Sequence, residues 1–267
     1  MADLYQSLAD APEATVSAIA DSLERRAGDP AQQEILETYL TDLTIAEGSA
    51  VLEIGCGTGP VCRRFAELPG VARVLGIDPA PVLIARAREL TQGDGRLEFR
   101  VASGQSSGCD DASFDGVVLH TLLSHVPDQQ ALLAEAYRVL KRGGWLVVCD
   151  ADFSKVSAAI GTGDPLQACV DAWVEHYVTD RWLVPRLPGL LAAAGFTVGR
   201  FRGYNRTDLT GRGSGPLWIE RGAKALLESG CIGPELEQAL LAECRRRIEA
   251  GCFYAALPFA SVVAAKP

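Results

Sequence analysis

Three glycines at alternate positions, Gly55, Gly57 and Gly59, follow the apolar run Val51-Leu52-Glu53-Ile54 and lead into a helical segment. Glycine at such spacing permits a tight turn and lets a ligand approach the backbone without a Cβ in the way. At the carboxyl end of a strand in an open α/β sheet, that turn lies where ligands bind. The type of ligand follows from what the loop lacks. A dinucleotide fingerprint beginning at Gly55 needs glycine where Pro60 stands, one beginning at Gly57 needs it where Cys62 stands, and a phosphate-binding loop needs a lysine that is missing. Some twenty residues on, Leu75-Gly76-Ile77-Asp78 ends a second apolar run in a carboxylate, the position from which ribose hydroxyls are gripped. A ribose ligand without a pyrophosphate fits these residues.

On this loop the chain resembles the class I S-adenosylmethionine-dependent methyltransferases, whose first motif has the form ExGxGxG, matched by Glu53, Gly55, Gly57 and Gly59. The resemblance runs from about residue 35 to 148 and continues more loosely beyond. It implies S-adenosyl-L-methionine as cofactor and S-adenosyl-L-homocysteine as product. The loop with Cys56 would face the methionine part, Asp78 and Pro79 the ribose, Ser103-Gly104-Gln105 the adenine, and His120 the cofactor's edge. Many relatives carry Asp where Ser103 stands, so the contact to the adenine amino group departs from the family pattern. The runs Phe114–His120, His125-Val126-Pro127-Asp128 and Leu140–Gly144 look like the branch containing quinone-biosynthesis C-methyltransferases and natural-product tailoring enzymes.

A sulfonium methyl is already activated, so the protein has to align a nucleophile and see it deprotonated. Histidine suits a base near neutrality, and the chain has three. His120, ending the fourth strand, and His125 are the catalytic candidates; each has a plain alternative in local hydrogen bonding. His176, beside Trp173 and Tyr177, reads as core. Asp150 and Asp152, just past the fifth strand, would orient a substrate or, the favoured reading, cap a helix. Tyr39, Phe153, Trp173, Tyr177, Trp218 and Tyr254, with those two aspartates, are candidates for a substrate pocket. The expected reaction is methyl transfer to an oxygen or carbon nucleophile of a small, aromatic or polyketide-like molecule. Rivals are a methyltransferase fold turned to a non-methylating reaction or to cofactor sensing, and a nicotinamide-dependent oxidoreductase, against which Pro60 argues.

The elements that must position these residues follow from hydrophobic period. Short apolar runs at 50–54, 74–77, 97–101, 114–119 and 145–149 read as strands, alternating with helices at 61–68, 81–90 and 129–140. That order predicts a doubly wound, mostly parallel, Rossmann-like sheet. Further helices are expected at 30–43, 165–177 and 187–194. Strands at 196–204 and 253–264 bring the sheet to seven, as an antiparallel C-terminal hairpin. The expected division is N-terminal helices covering the site (1–45), the cofactor-binding core (46–204), a helical lid insertion (205–251) with helices at 216–227 and 234–248, and the last strand (252–267).

Composition narrows the partners. The formal net charge of -9 disfavours nucleic acid and anionic membrane. Arg245, Arg246 and Arg247, beside Glu243 and Glu249, read as a solvated helix face. Eight cysteines without a CxxC pair, and only three histidines, give no zinc spacing and read as reduced thiols. The acidic N-terminal stretch lacks the pattern of a leader or span, so a cytoplasmic protein acting on a small molecule is expected, with a homodimer left open.

Overall fold

The computed structural model describes residues 11–267; the first ten residues of the expected N-terminal cover lie outside the described residues. Two helices, α1 (Glu13–Ala27) and α2 (Pro30–Leu40), precede the sheet. The core then alternates β1 (Ser49–Ile54), α3 (Pro60–Ala66), β2 (Val71–Asp78), α4 (Pro81–Leu90), β3 (Leu97–Val101), β4 (Phe114–His120), α5 (Gln129–Val139) and β5 (Leu140–Ala151). After it come α6 (Pro165–Tyr177), α7 (Leu183–Ala193), β6 (Thr197–Tyr204), β7 (Thr207–Asp208), α8 (Gly215–Glu228), α9 (Pro234–Glu249), β8 (Ala255–Ala256) and β9 (Phe259–Ala265).

The seven-stranded sheet has the order β3-β2-β1-β4-β5-β9-β6. The first five strands are parallel, whereas β9 runs antiparallel to both β5 and β6. This is the doubly wound sheet with an antiparallel end that the alternation of runs predicts. Every residue of β1 is buried, as a strand covered on both faces requires. Its side chains part between two cores: Val51 joins Val118, Val147 and the residues of α3 on one face, and Leu52 and Ile54 join Leu119, Val148 and the residues of α5 and α7 on the other.

Register brings the chemistry to one edge. Ile54 pairs with Ile77 and Leu119, Asp78 with Val101, and His120 with Cys149. Gly55, Asp78, Ala102, His120 and Asp150 therefore leave the sheet at the same side. The order reverses between β1 and β4, which opens a crevice there. Pro60, which breaks the dinucleotide fingerprint, is the first residue of α3, where a missing N–H costs nothing.

Several boundaries move. The last strand, expected as one run over 253–264, is split: β8 pairs with β7 in a separate two-stranded sheet, and β9 begins only after Pro258, which cannot donate to a ladder. Helix α5 ends one residue early because β5 begins at Leu140, and α7 begins at Leu183 rather than at 187. The insertion's α8 lies so close on α6 that a Cβ on Gly222 would stand 1.6 Å from the Cys169 carbonyl oxygen. The reading of Arg245–Arg247 as a solvated face is corrected at Arg247, which is 5% exposed. It donates to both Asp164 oxygens at 2.6 and 3.0 Å and to Glu243 at 2.7 Å, tying α9 to the start of α6.

Candidate active site

A cleft of about 410 Å³ opens beyond the ends of β1, β2 and β4. Of the residues singled out in the sequence, Glu53, Gly55, Cys56, Gly57, Asp78, Pro79, Ser103, Gly104, Gln105, His120 and His125 line it. Gly59 does not; it caps α3 in the left-handed region (φ 78°), where a Cβ would stand 2.6 Å from the Phe99 ring. Gly55 (φ 73°) faces Leu122 closely enough that a Cβ would lie 2.7 Å away.

Asp78 ties the loop to the sheet edge. Its Oδ2 accepts from the Gly57 N–H at 3.0 Å and its Oδ1 from the Ala80 N–H at 2.9 Å. Burial raises its pKa and those two N–H groups oppose the rise. Each oxygen keeps a lone pair for a ligand hydroxyl. Glu53, only 3% exposed, accepts from the Cys62 thiol at 2.8 Å. Burial pushes its carboxyl up to about 8, against the effect of that thiol.

The two histidines differ. His120 Nδ1 lies 3.1 Å from the Tyr39 hydroxyl, and burial together with the nearby Arg26 charge pushes its pKa down to about 3. The imidazole is therefore neutral, suited to hydrogen bonding rather than to holding a proton near neutrality. Burial also raises the Tyr39 hydroxyl well above its ordinary value, so the pair is uncharged. His125 sits on a 3-10 turn between β4 and α5, its ring edge-on to Phe153 at 6.3 Å between centroids. Asp150 stands behind that turn, accepting from the Ser124 hydroxyl at 2.9 Å, the Ser124 N–H at 3.2 Å and the Ala151 N–H at 2.8 Å. Burial raises its pKa, and the neighbouring His125, with the Ser124 and Ala151 donors, opposes the rise.

The reading of Asp150 and Asp152 as helix caps is corrected. Asp150 braces the His125 turn, and Asp152 bonds the Ser154 hydroxyl and pairs with Lys155 without accepting a capping N–H. Neither lines this cleft or the second one described below, and nor do Tyr39, Phe153, Trp173, Tyr177, Trp218 or Tyr254. Phe153, Trp173 and Trp218 instead pack in series, at 5.8 and 5.2 Å between centroids, from the His125 turn out to α8. Tyr177 packs on His176 and under Arg221. No residue of 205–251 lines the cleft.

Its cover comes from α1, through Leu23 and Arg26. Arg26 donates to the Thr121 hydroxyl at 2.8 Å, and Thr121 has a positive φ of 52°. A β-branched residue held there is strained, and such strain gathers at ligand sites. A second cleft of about 460 Å³ lies between α1, α2 and α3 and shares Leu23, Arg26, Pro60, Val61 and His120 with the first. Sequence reading missed Arg26, Thr121 and this cleft. The one available signal was basic Arg26 in the last turn of a helix bound for the site. Among the described residues no cluster of three or more His, Cys, Asp or Glu is placed to hold a metal ion.

An open, mostly parallel sheet with a cleft at its topological reversal defines the doubly wound class of α/β protein, in which ligands bind at that point. Within that class, residues 52–148 match the family described as a methyltransferase domain, and the chain has the class I methyltransferase fold with that domain at its centre. It is 28% identical over 196 residues to a 2-methyl-6-phytyl-1,4-hydroquinone methyltransferase of Synechocystis, across 70% of this chain and 61% of that protein's length. Among solved structures, a putative methyltransferase of Bacillus halodurans superposes with a TM-score of 0.63 at 21% identity, covering 87% of this chain and 98% of that one. The [4+2]-cyclase SpnF superposes with a TM-score of 0.56 at 20% identity, covering 89% and 81%.

Proposed function

We propose that the protein transfers a methyl group from S-adenosylmethionine to an oxygen or carbon nucleophile of a small, aromatic or polyketide-like molecule. The observation that carries this reading is Asp78: a buried carboxylate at the β2 end, bonded to the Gly57 N–H, with lone pairs left over beside a glycine cradle. The residues fit the cofactor. Gly55 and Gly57 present backbone where a Cβ would meet Leu122 or Leu23, and the cleft's volume suits a ligand of that size. When bound, the cofactor supplies a methyl group already activated on a sulfonium sulfur. Asp78 would hold the ribose hydroxyls, Ser103 to Gln105 would border the base, and Leu23 with Arg26 would exclude water from above.

The acceptor enters from the second cleft, where His120 forms part of both walls. Neutral His120, held by Tyr39, orients it through a hydrogen bond. Where an acceptor brings a proton to be removed, His125, with Asp150 behind its turn, is the group to take it. A relative named for a hydroquinone substrate supports a phenolic acceptor. A fold shared with a cyclase leaves a second reading, a cofactor-assisted reaction without transfer. Release of S-adenosylhomocysteine in step with product separates the two.

The ribose contact supplies the test. Asp78→Ala removes charge-assisted bonds worth roughly 1.5–3 kcal/mol each, so S-adenosylhomocysteine affinity should fall at least about tenfold by calorimetry. Unchanged affinity refutes the placement.

A further inference from the structure

The second cleft carries two polar groups that the fold leaves wholly or partly unused. Gln32, in the first turn of α2, is 5% exposed, and neither its amide nitrogen nor its amide oxygen has a partner among the described residues. A buried amide left unbonded costs stability, and such a group in a cleft wall is explained by a ligand that completes it. Arg26 is the second. The neighbouring guanidinium groups are neutralised, Arg63 by both oxygens of Glu24 at 3.0 and 2.8 Å and Arg64 by Glu37. Arg26 has only the Thr121 hydroxyl and, among the described residues, no carboxylate in ion-pair reach. It stands where the two clefts meet, beside His120.

The geometry points to an acceptor that carries an ionised oxygen, held by the Arg26 guanidinium at the junction, with a second oxygen on the same molecule accepting from the Gln32 amide nitrogen. This rests on the methyl-transfer reading and names its substrate class: an organic oxyanion, whether an acidic enol or phenol or a carboxylate. Such an acceptor brings its own lone pair. Its oxygen forms the bond to the methyl carbon, the carbon–sulfur bond breaks with its electron pair left on sulfur, and the negative and positive charges cancel without a proton being moved. His120, neutral at the same junction, has no proton to accept in that step, which fits its chemistry. Arginine suits the task because its planar fork meets an oxyanion with more than one N–H.

The probes are the enolate of 4-hydroxycoumarin and benzoate, with 4-methoxycoumarin and benzamide as neutral counterparts, titrated into the full protein saturated with S-adenosylhomocysteine. At least one anion should bind about tenfold or more tighter than its neutral counterpart, and which anion does so distinguishes the enol from the carboxylate source. At S-adenosylhomocysteine concentrations that saturate the variant, Arg26→Leu should abolish that preference, lowering the anion to the affinity of its neutral counterpart while the neutral counterpart's own affinity stays within about twofold. Gln32→Leu should weaken the preferred anion and at the same time raise the melting temperature of the ligand-free protein, a pairing that a purely structural glutamine does not produce. The inference is overturned if neither anion binds up to about 1 mM, if neutral probes bind as well, or if Arg26→Leu leaves the anion preference intact. The last result removes Arg26 as the anion's partner. Failure of S-adenosylhomocysteine to bind the unmodified protein removes the methyl-transfer reading itself, a different outcome from loss of the anion preference alone.

Discussion

Glu53→Gln isolates the electrostatics of the glycine-loop strand, because glutamine keeps the shape and cannot titrate. The native carboxyl is pushed from 4.5 up to about 8, chiefly by burial. Between those values the folded protein holds a proton that the unfolded chain has lost. Its contribution to stability is complete below about 4.5, falls as pH rises and is gone above about 8. The slope is about 1.4 kcal/mol per pH unit, or ~3 kcal/mol over two units inside the window. His120 works in the opposite direction: pushed down from 6.5 to about 3, it stays neutral while the unfolded chain takes up a proton, so its share is lost as pH falls through that range. The two slopes cancel where the windows overlap, between about 4.5 and 6.5, and Glu53 alone acts above. Urea unfolding of both proteins at intervals across roughly pH 5 to 8 measures the difference directly. The variant should gain on the parent by about 1.4 kcal/mol per pH unit, becoming the more stable protein at the alkaline end. A stability difference that does not vary with pH refutes an uncharged, buried Glu53.

Arg247→Ala strips a buried Asp164 of its guanidinium and should cost about 3–5 kcal/mol, lowering the melting temperature by roughly 10 °C; a drop of a degree or so would mean the pair contributes little. Turnover at saturating cofactor divides the histidines. With an acceptor that is protonated in solution, His125→Ala should lower kcat by about 100-fold or more. His120→Asn should act chiefly on the acceptor's KM; the reverse pattern would move the base to His120.

Much of the fold is legible because single stretches of sequence carry it. Val51–Ile54 running into Gly55 specifies a buried strand and a tight turn, and Asp78 ends the next strand in register with it. The cofactor-side candidates other than Gly59 gather for the same reason, since they stand at or just past the ends of strands that leave one sheet edge. The second cleft has no such signature. Arg26, Gln32 and Arg63 are ordinary helix residues from three different helices, and only tertiary packing sets them around one space. The aromatics could not be sorted by type: Phe153, Trp173 and Trp218 pack on one another in series rather than in the wall of either cleft. Arg247 shows the limit of reading charge runs, because successive residues on a helix turn by about 100° and one of three arginines points inward. Pro258 carried the signal for the split last strand, a break inside an otherwise continuous apolar run.

The central claim is that the cleft at the end of β1 takes an S-adenosyl ligand. Calorimetric titration of the protein with S-adenosylmethionine, S-adenosylhomocysteine and NAD tests it most directly. Micromolar binding of both sulfur compounds with none of NAD is the result this account predicts; binding of NAD alone would contradict it and remove the chemistry built on the glycine loop.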